Sequence, residues 1–217
     1  MVSWSSGKDA AWALHRLREI TEVEVVGLLT TLNEAAGRVA MHAVRERLLE
    51  AQAGAADLPL RKVWLPHPCT DAEYRARMAA ALREIEAEGV EAFAFGDLFL
   101  EDVRRYREQQ LRGTPFDALF PLWGEDSATL AREMIAGGLR AILTCVDPKQ
   151  LDPSFCGRAY DAALLDDLPD DADPCGENGE FHTLVHAGPM LATPIAVTAG
   201  ETVERDGFVF CDVIEAP

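Results

Sequence analysis

The sequence predicts an α/β protein in which a parallel sheet carries helices on both faces and is followed by a small C-terminal α+β lobe. Strand-like and helix-like segments alternate over the first two thirds of the 217 residues. The strand-like segments are short and almost continuously apolar, which is typical of strands buried on both faces of a parallel sheet. After about Pro148 the chain becomes rich in acidic residues, proline and glycine, and short strand-like segments follow one another without helices between them.

Four of the strand-like segments are β-branched or aromatic runs that end in turn-forming or polar residues. They cover residues 22–31, 61–66, 90–97 and 141–147. We assign all four to the parallel sheet, and such sheets bind ligands at the carboxyl ends of their strands. The functional site is therefore expected in the loops that begin at Ser5, Thr31, Pro66, Asp97 and Cys145.

Apolar residues recur at helical spacing between these strands. The helical periods run through residues 10–20, 41–51 (starting at Met41) and 74–85. Thr70 and Glu73 stand at capping-box spacing before the third period and predict the start of that helix. Asp126 or Ser127 is expected to cap a further helix, which ends at two glycines, 137 and 138. The change of composition near residue 148 then predicts two units, residues 1–147 and residues 148–217.

Composition and charge exclude several classes of protein. The net charge of −17 disfavours nucleic acid as a partner, because a polyanion repels another polyanion unless a basic patch is present, and we find none. No apolar run approaches the roughly 20 residues that span a bilayer, and we see no signal peptide before the first motif. The five cysteines are odd in number and form no C-x-x-C pair, which fits a reduced cytoplasm and argues against a zinc ribbon.

The stretch SWSSGKDAAW, Ser3 to Trp12, has the composition of a phosphate-binding loop. It lacks the G-x-x-x-x-G-K-[ST] pattern of a Walker loop, because Asp9 follows Lys8, and it lacks the G-x-G-x-x-G dinucleotide fingerprint. What remains is a hydroxyl-rich turn that opens a helix at Lys8. Such a turn presents backbone N–H groups at the positive end of a helix dipole. The stretch is similar to the S-G-G-x-D-S loop of ATP pyrophosphatases, from which it departs at Ser6 and Ala10.

Six further segments occur in an order that resembles the diphthine–ammonia ligase family, and most closely its stand-alone bacterial branch. They are RVAMHAVRERLLEAQA (38–53), AEYRARM (72–78), GVEAFAFGDLFLEDVRRYRE (89–108), LFPLWGED (119–126), CVDPKQLD (145–152) and DPCGENGEFHTLV (173–185). The resemblance implies a Rossmann-like nucleotide domain of the adenine nucleotide alpha hydrolase type over residues 1–147. It also implies a family-specific substrate lobe over residues 148–217.

The resemblance further implies a reaction, a nucleotide and a set of partners. An acid substrate, free or borne by a protein, is activated as an acyl-adenylate with ATP and Mg²⁺, and ammonia then converts it into an amide with release of AMP and pyrophosphate. Because bacteria do not make diphthamide, a bacterial member is expected to use another acid. We expect a cytoplasmic enzyme that binds neither nucleic acid nor membrane and that is able to form a homo-oligomer.

Candidate ATP contacts lie in the first domain. Ser5, Ser6, Gly7 and Lys8 are expected at the phosphates, where donors and a cation neutralise developing charge. Asp9 either holds Mg²⁺ or is an acid at a helix N-terminus. Further ATP contacts are expected from residues near the strand ends: Thr30, His42 and Gly96. Gly96 would allow a ligand to approach the backbone.

Candidate catalytic and substrate residues come from both units. Asp97 is either catalytic or the cap of a helix that starts at Leu98. Arg45 shares a helix face with His42 and contacts substrate, or the two form a solvated pair. In GENGEFHT, we expect the carboxylates of Glu177 and Glu180 to bind or deprotonate ammonium, or to hold magnesium, and His182 to act as a base near neutral pH. Asn178 joins Glu180 and Arg45 as a substrate contact; the alternative for the whole segment is a polar turn that leads into a strand.

Two other functions share the loop and stay open at this point. One is a tRNA-modifying ATP pyrophosphatase, which the net charge and the lack of paired cysteines disfavour. The other is a nucleotide sensor without catalysis, which the alanine at position 10 leaves in play. A zinc site built from Glu177, Glu180 and His182 is disfavoured, since no second histidine is spaced to complete it.

Overall fold

The computed structural model describes residues 1–39 and 42–216. Its first sheet contains β1 (Val2–Ser3), β2 (Leu28–Asn33), β4 (Leu60–Leu65), β5 (Ala92–Ala94) and β6 (Asp117–Leu119), all parallel. Their order is β4-β2-β1-β5-β6, and the short β3 (Arg38–Val39) pairs antiparallel with the end of β2. This arrangement confirms the α/β class and the parallel sheet that the sequence predicts.

Helices cover both faces of this sheet. They are α1 (Lys8–Arg18), α2 (Glu46–Ala55), α3 (Asp71–Ala87) and α4 (Glu101–Leu111). Successive strand residues point to opposite faces, so Leu28 packs in the cluster that contains α1 and α2 residues, while Leu29 packs with Ile85 of α3 and Leu111 at the end of α4. Met41, the first residue of the second helical period, lies outside the described residues.

A second sheet is antiparallel throughout and has the order β8-β7-β10-β9. Its strands are β7 (Arg140–Val146), β8 (Phe181–Ala187), β9 (Val197–Arg205) and β10 (Phe208–Glu215), with α5 (Ser127–Ala136) before them. A 3-10 turn (Pro153–Phe155) and α6 (Ala162–Asp167) lie between β7 and β8. One buried cluster joins α1 and α2 of the first lobe to β7 and β8 of the second.

The placement of β7 corrects one prediction. Residues 141–147 were expected in the parallel sheet, but β7 pairs antiparallel with β8 and β10. A short apolar run reads the same in a parallel and an antiparallel sheet, so only its long-range partners decide. The loop that begins at Cys145 therefore belongs to the second sheet, and the boundary at 147/148 stays a prediction.

The helix starts follow local capping chemistry. Thr70 Oγ1 accepts a hydrogen bond from the Glu73 N–H and the Glu73 carboxylate accepts one from the Thr70 N–H, so the predicted capping box is confirmed. Asp126 caps α5 by accepting from Thr129 N at 2.9 Å. Asp97 does not cap a helix at Leu98, because α4 begins at Glu101 with Leu100 as its N-cap. No helix in the described ranges is both long and apolar enough to cross a membrane.

Gly96 has a packing role at the end of β5. A Cβ atom at this position would lie 2.6 Å from the carbonyl carbon of Asp9 and 2.8 Å from the nitrogen of Ala10. The first turn of α1 thus rests directly on the Gly96 backbone. A glycine is therefore needed here for packing, and the predicted contact of Gly96 with ATP stays a prediction.

We expect Gly96→Ala to destabilise the protein by about 1 to 3 kcal/mol, because backbone atoms of α1 must move. Gly54→Ala is the matched control, since a Cβ there meets nothing within 4 Å and the residue lies in a helix. That control is expected to be neutral or to gain up to about 1 kcal/mol. Urea unfolding followed by circular dichroism measures both values, and an equally stable Gly96→Ala protein would contradict the packing role.

Candidate active site

The loop between β1 and α1 is fixed by hydrogen bonds to the second lobe and to α2. Ser6 has the left-handed φ of 74° and Gly7 is the N-cap of α1. The Ser6 carbonyl accepts hydrogen bonds from Val185 N at 3.0 Å and from Gln52 Nε2 at 3.0 Å. The hydroxyl of Ser5 accepts from Gly7 N at 3.3 Å. The loop is therefore a fixed turn whose shape depends on β8.

Lys8 points into the second lobe. Its backbone N–H donates to Thr183 Oγ1 at 3.0 Å, and its ammonium lies 2.9 Å from both carboxylate oxygens of Asp9 and donates to the Cys175 carbonyl. The rings of Tyr160 and Phe181 lie 5.6 and 5.4 Å from Nζ, and the residue is only 2% exposed. The sequence analysis expects Lys8 at the phosphates, whereas its contacts in the structure are with protein groups.

Lys8 stays protonated although it is buried. Burial lowers the pKa of this ammonium, but the Asp9 carboxylate and its hydrogen bonds, together with other anionic groups nearby, raise the pKa above its ordinary value. A buried charge is tolerated only with such a partner. The N-terminus of α1 therefore carries a fixed ion pair.

The segment 173–180 forms a tight turn that its own side chains support. Asp173 Oδ1 accepts from the N–H groups of Cys175 at 2.9 Å and Glu177 at 3.1 Å. Glu180 Oε1 accepts from Asp173 N at 2.8 Å and Asn178 Nδ2 at 3.0 Å. Glu180 is 2% exposed, and its Oε2 has no hydrogen-bond partner in the described part of the chain. Glu180 and Asn178 thus shape the turn.

Glu177 leaves this turn and reaches the first lobe. Its Oε1 accepts from Leu98 N at 2.7 Å, just beyond the end of β5. Burial raises the pKa of Glu177 to about 7, and the carboxylates of Asp9 and Asp97 act in the same direction. A carboxyl group with a pKa near neutrality can accept and release a proton under ordinary conditions.

His42 and His182 lie against each other, with ring centroids 4.6 Å apart. His42 Nδ1 is 3.1 Å from the Thr183 carbonyl, so this nitrogen carries the proton as donor. Burial lowers the pKa of His42 to about 4, and burial with the neighbouring His42 and Lys8 lowers the pKa of His182 to about 3. Both rings are therefore neutral at pH 7.

Two cavities meet at the end of the first sheet. The smaller has a volume of about 230 Å³ and the larger about 740 Å³. Eight predicted site residues line the small cavity: Ser5, Lys8, Asp9, His42, Gly96, Asp97, Glu177 and His182. The large cavity is lined by Ser5, Thr30 and His42 among the predicted residues. Ser6, Gly7, Arg45, Asn178 and Glu180 line neither cavity.

Thr30 shows an unfilled bonding capacity inside the large cavity. The residue is 3% exposed, and its hydroxyl has no hydrogen-bond partner in the described ranges. A buried hydroxyl without a partner is costly, and a bound ligand can supply one. Thr30 therefore keeps a hydroxyl without a partner behind a cavity wall that contains both apolar and polar side chains.

Arg45 is engaged elsewhere. Its guanidinium is 49% exposed and makes two hydrogen bonds to Asp212 of β10, one from Nε at 3.0 Å. Arg38 reaches the same carboxylate at 2.8 Å. These bonds, from Arg45 first, lower the pKa of Asp212 to about 2. In the structure Arg45 joins the first lobe to the second sheet, and its role as a substrate contact stays a prediction.

Three residues at the site, Arg107, Thr183 and Gln52, were not predicted from the sequence. Arg107 lines both cavities, lies 3.4 Å from Asp97 Oδ2 and covers the Phe95 ring at 5.2 Å. Thr183 receives the α1 N–H, and Gln52 holds the loop. Arg107 and Thr183 stand inside segments that carry the family resemblance, so those segments contained a signal. Gln52 also stands inside such a segment (38–53), but its role could not be deduced locally because its partners lie far away in the chain.

The described residues contain no group of three histidine, cysteine or acidic side chains placed to hold a metal ion. Both oxygens of Asp9 are bonded to Lys8. A magnesium ion is usually held by one or two carboxylates together with substrate phosphates. The role of Asp9 as a magnesium ligand stays a prediction.

Comparison with known proteins gives the class of the chain. Residues 1–113 match the family model of the diphthamide synthase N-terminal domain, and residues 126–215 match that of the C-terminal domain. The chain therefore belongs to the diphthamide synthase family, as its motifs predict. It is also 29% identical over 126 residues to the diphthine–ammonia ligase of Schizosaccharomyces pombe. That alignment covers 56% of this chain and about a fifth (21%) of the yeast protein.

The titration of Glu177 predicts an effect on stability. Because the fold raises the pKa of this carboxyl from 4.5 to about 7, the folded protein keeps a proton that the unfolded chain loses. The stabilisation is complete below pH 4.5 and is lost as the pH rises through 7. The side-chain amide of Glu177→Gln does not titrate, so the variant is not destabilised in this way. The difference in melting temperature between the variant and the parent should therefore shift in favour of the variant as the pH rises from 5 to 8.

Thermal unfolding of both proteins at several pH values checks this difference. The comparison of the two proteins cancels the opposite effect of His42 and His182, whose lowered pKa values cost stability as the pH falls. Glu204→Gln, at an exposed position on β9, is the matched control and should follow the parent. Parallel curves for Glu177→Gln and the parent would contradict the raised pKa.

Proposed function

We propose that this protein is an ATP-dependent amide ligase, which adenylates a carboxylic acid and transfers ammonia to it. The observation that carries the proposal is the meeting of Glu177 and His182 of the second lobe with the β1–α1 loop around one cavity. Membership of the diphthamide synthase family and the similarity to a protein named diphthine–ammonia ligase support the same reaction. The identity of the acid is not carried over from the yeast protein.

The proposed reaction has two steps. A carboxylate oxygen of the acid attacks the α-phosphorus of ATP, the bond from this phosphorus to the bridging oxygen breaks, and pyrophosphate leaves. The nitrogen of ammonia then attacks the acyl carbon, the bond between this carbon and the AMP oxygen breaks, and AMP leaves. The nitrogen loses one proton as the amide forms. The protein must therefore bind two anions close together and accept a proton.

The large cavity and the loop are the proposed ATP site. Thr30 lines the large cavity, and the loop with Ser5 lies where the two cavities meet. The positive end of α1 and the charge of Lys8 favour phosphates there, although Lys8 acts through the field of a fixed ion pair. Arg107, at the same junction, adds a guanidinium that can approach phosphate oxygens.

Glu177 is the proposed general base. It lines the small cavity, where ammonia would lie between the first and second lobes. Its ionised form can take the proton that the attacking nitrogen must lose, and its pKa near 7 suits this task. The neutral rings of His42 and His182 line the same cavity without adding charge. Glu180 is a positioning residue in this proposal, since it holds the turn that presents Glu177.

Magnesium enters the proposal with ATP and not as a resident ion. Both carboxylate oxygens of Asp9 already accept a hydrogen bond from the Lys8 ammonium, so the ion is proposed to rely chiefly on the phosphates. The ion would instead supply charge neutralisation to the phosphates. Neither of the two proposed steps requires a metal ion held by Asp9.

The remaining parts of the proposal concern setting and partners. We propose that the protein acts in the cytoplasm on a carboxylic acid that is free or borne by a protein, and that it does not bind nucleic acid. Assembly into a homo-oligomer stays an expectation. The net charge of −17 supports the exclusion of tRNA. Pyrophosphate release in the absence of any acid, or only with tRNA, would favour the other functions.

The products test the reaction class. Incubation of the protein with ATP, magnesium, ammonium and a panel of carboxylic acids is expected to give AMP and pyrophosphate in equal amounts. Ion-exchange chromatography of the nucleotides measures the outcome. Formation of ADP and orthophosphate as the sole products would contradict attack at the α-phosphorus.

Glu177→Gln should separate the two steps. The variant keeps the acceptor for the Leu98 N–H but cannot take a proton, so amide formation is expected to fall by about two orders of magnitude. Acid-dependent exchange of labelled pyrophosphate into ATP, which reports the first step, is expected to stay within about twofold of the parent. The rate of amide formation of the parent should rise with pH through 7, and Glu204→Gln should keep this rise. An unchanged amide rate in Glu177→Gln would exclude Glu177 as the base.

A further inference from the structure

The large cavity extends well beyond the loop, into a gap between the first sheet and two of its helices. We call this part the α3–α4 compartment and define it by Tyr74, Met78, Leu82, Phe93, Tyr106 and Phe116, which all line the cavity. Phe93 and Phe116 meet edge to face at 5.0 Å and form part of the wall. The compartment is therefore lined mainly by aromatic and aliphatic side chains.

The cavity lies beside α3, which packs on the sheet through one fully buried residue and several half-buried ones. Of the 17 residues of α3, only Ile85 is buried, although the helix has a complete capping box at its start. Met78 and Leu82 are half-buried and face the cavity. A well-formed helix that leaves its apolar residues next to a cavity is a typical wall of a site for a small molecule.

The charges around the compartment have the opposite sign to the protein. Arg75, Arg83 and Arg107 line the cavity, against a single acidic residue, Glu86. Among the described residues, neither Arg75 nor Arg83 makes an ion pair. In a chain with a net charge of −17, such a group of arginines favours an anionic ligand.

We propose that the α3–α4 compartment binds the acid substrate, and that this substrate is a small free carboxylic acid with an apolar body. The proposal rests on the proposed function. The carboxylate would point towards Arg107 and Ser5, which line both cavities, and the apolar body would lie between Met78, Leu82 and Phe93. The nucleoside would occupy the other end of the large cavity, near Thr30.

A nucleotide is the competing occupant of the compartment. Its phosphates must lie at the loop, however, and the three arginines that border the compartment suit an anionic group better than a neutral purine. These observations favour the acid in the compartment.

Two neighbouring alanines of α3 provide a matched test. Ala79 and Ala80 are both exposed, but only Ala79 lines the cavity. Ala79→Glu places bulk and negative charge in the compartment, whereas Ala80→Glu makes the same change outside it. Both changes keep a good helix former, so both proteins are expected to fold.

Calorimetric titration gives the binding of each partner without turnover. Octanoate and 3-phenylpropionate serve as apolar acids, acetate and glutamate as short polar ones, all in the presence of α,β-methylene-ATP. We expect the parent and Ala80→Glu to bind the apolar acids at least about tenfold more tightly than the polar ones. Ala79→Glu is expected to lose about tenfold or more in affinity for the apolar acids while it keeps its affinity for the nucleotide.

Each other outcome overturns the proposal in a recognisable way. A loss of nucleotide affinity in Ala79→Glu would assign the compartment to ATP. Equal effects of Ala79→Glu and Ala80→Glu, tight binding of the polar acids alone, or AMP formation that needs a protein acceptor would exclude a free apolar acid. All of these results are compatible with AMP-forming chemistry, so they are distinct from failure of the proposed function, in which no acid yields AMP.

Discussion

The buried side-chain amide of Gln52 is the contact on which the arrangement of the site depends. Its oxygen accepts from Trp4 Nε1 at 2.9 Å, and its nitrogen donates to the carbonyls of Ser6 at 3.0 Å and Val185 at 2.6 Å. Gln52 is fully buried, so each of these bonds replaces one to water. A helix of the first lobe thereby fixes both the loop and strand β8 of the second lobe. Neither lobe alone presents the site.

The ion pair of Lys8 and Asp9 follows from this arrangement. Once β8 lies against the loop, Thr183 takes the Lys8 N–H, and the ammonium is enclosed by Tyr160, Phe181 and the Cys175 carbonyl. Removing one partner of a buried pair is costly because the other charge stays behind, so the pair is kept as a unit. A lysine that sequence patterns assign to phosphate thus also joins the two lobes, and its role at phosphate stays a prediction.

Local chemistry could be predicted from the sequence, and long-range partners could not. The capping box of Thr70 and Glu73 lies within four residues, and the α/β class follows from segments that alternate along the chain. The sheet to which β7 belongs depends on β8 and β10, and the bond from Arg45 to Asp212 spans 167 residues. The motif GENGEFHT identified Glu177 and His182, but separating them from Glu180, which shapes the turn, required the fold.

The neutral histidines and the easily protonated Glu177 have a single physical cause, which is burial where the lobes meet. Ammonia reacts through a lone pair that the ammonium ion lacks, so a desolvated cavity with one carboxyl group of pKa near 7 matches the proposed amide step. Strand β8 supplies both the His182 ring and the Thr183 hydroxyl that receives the α1 N–H. The cavity proposed for ammonia and the loop proposed for phosphate therefore rest on the same strand, and a shift of β8 would alter both steps of the reaction together.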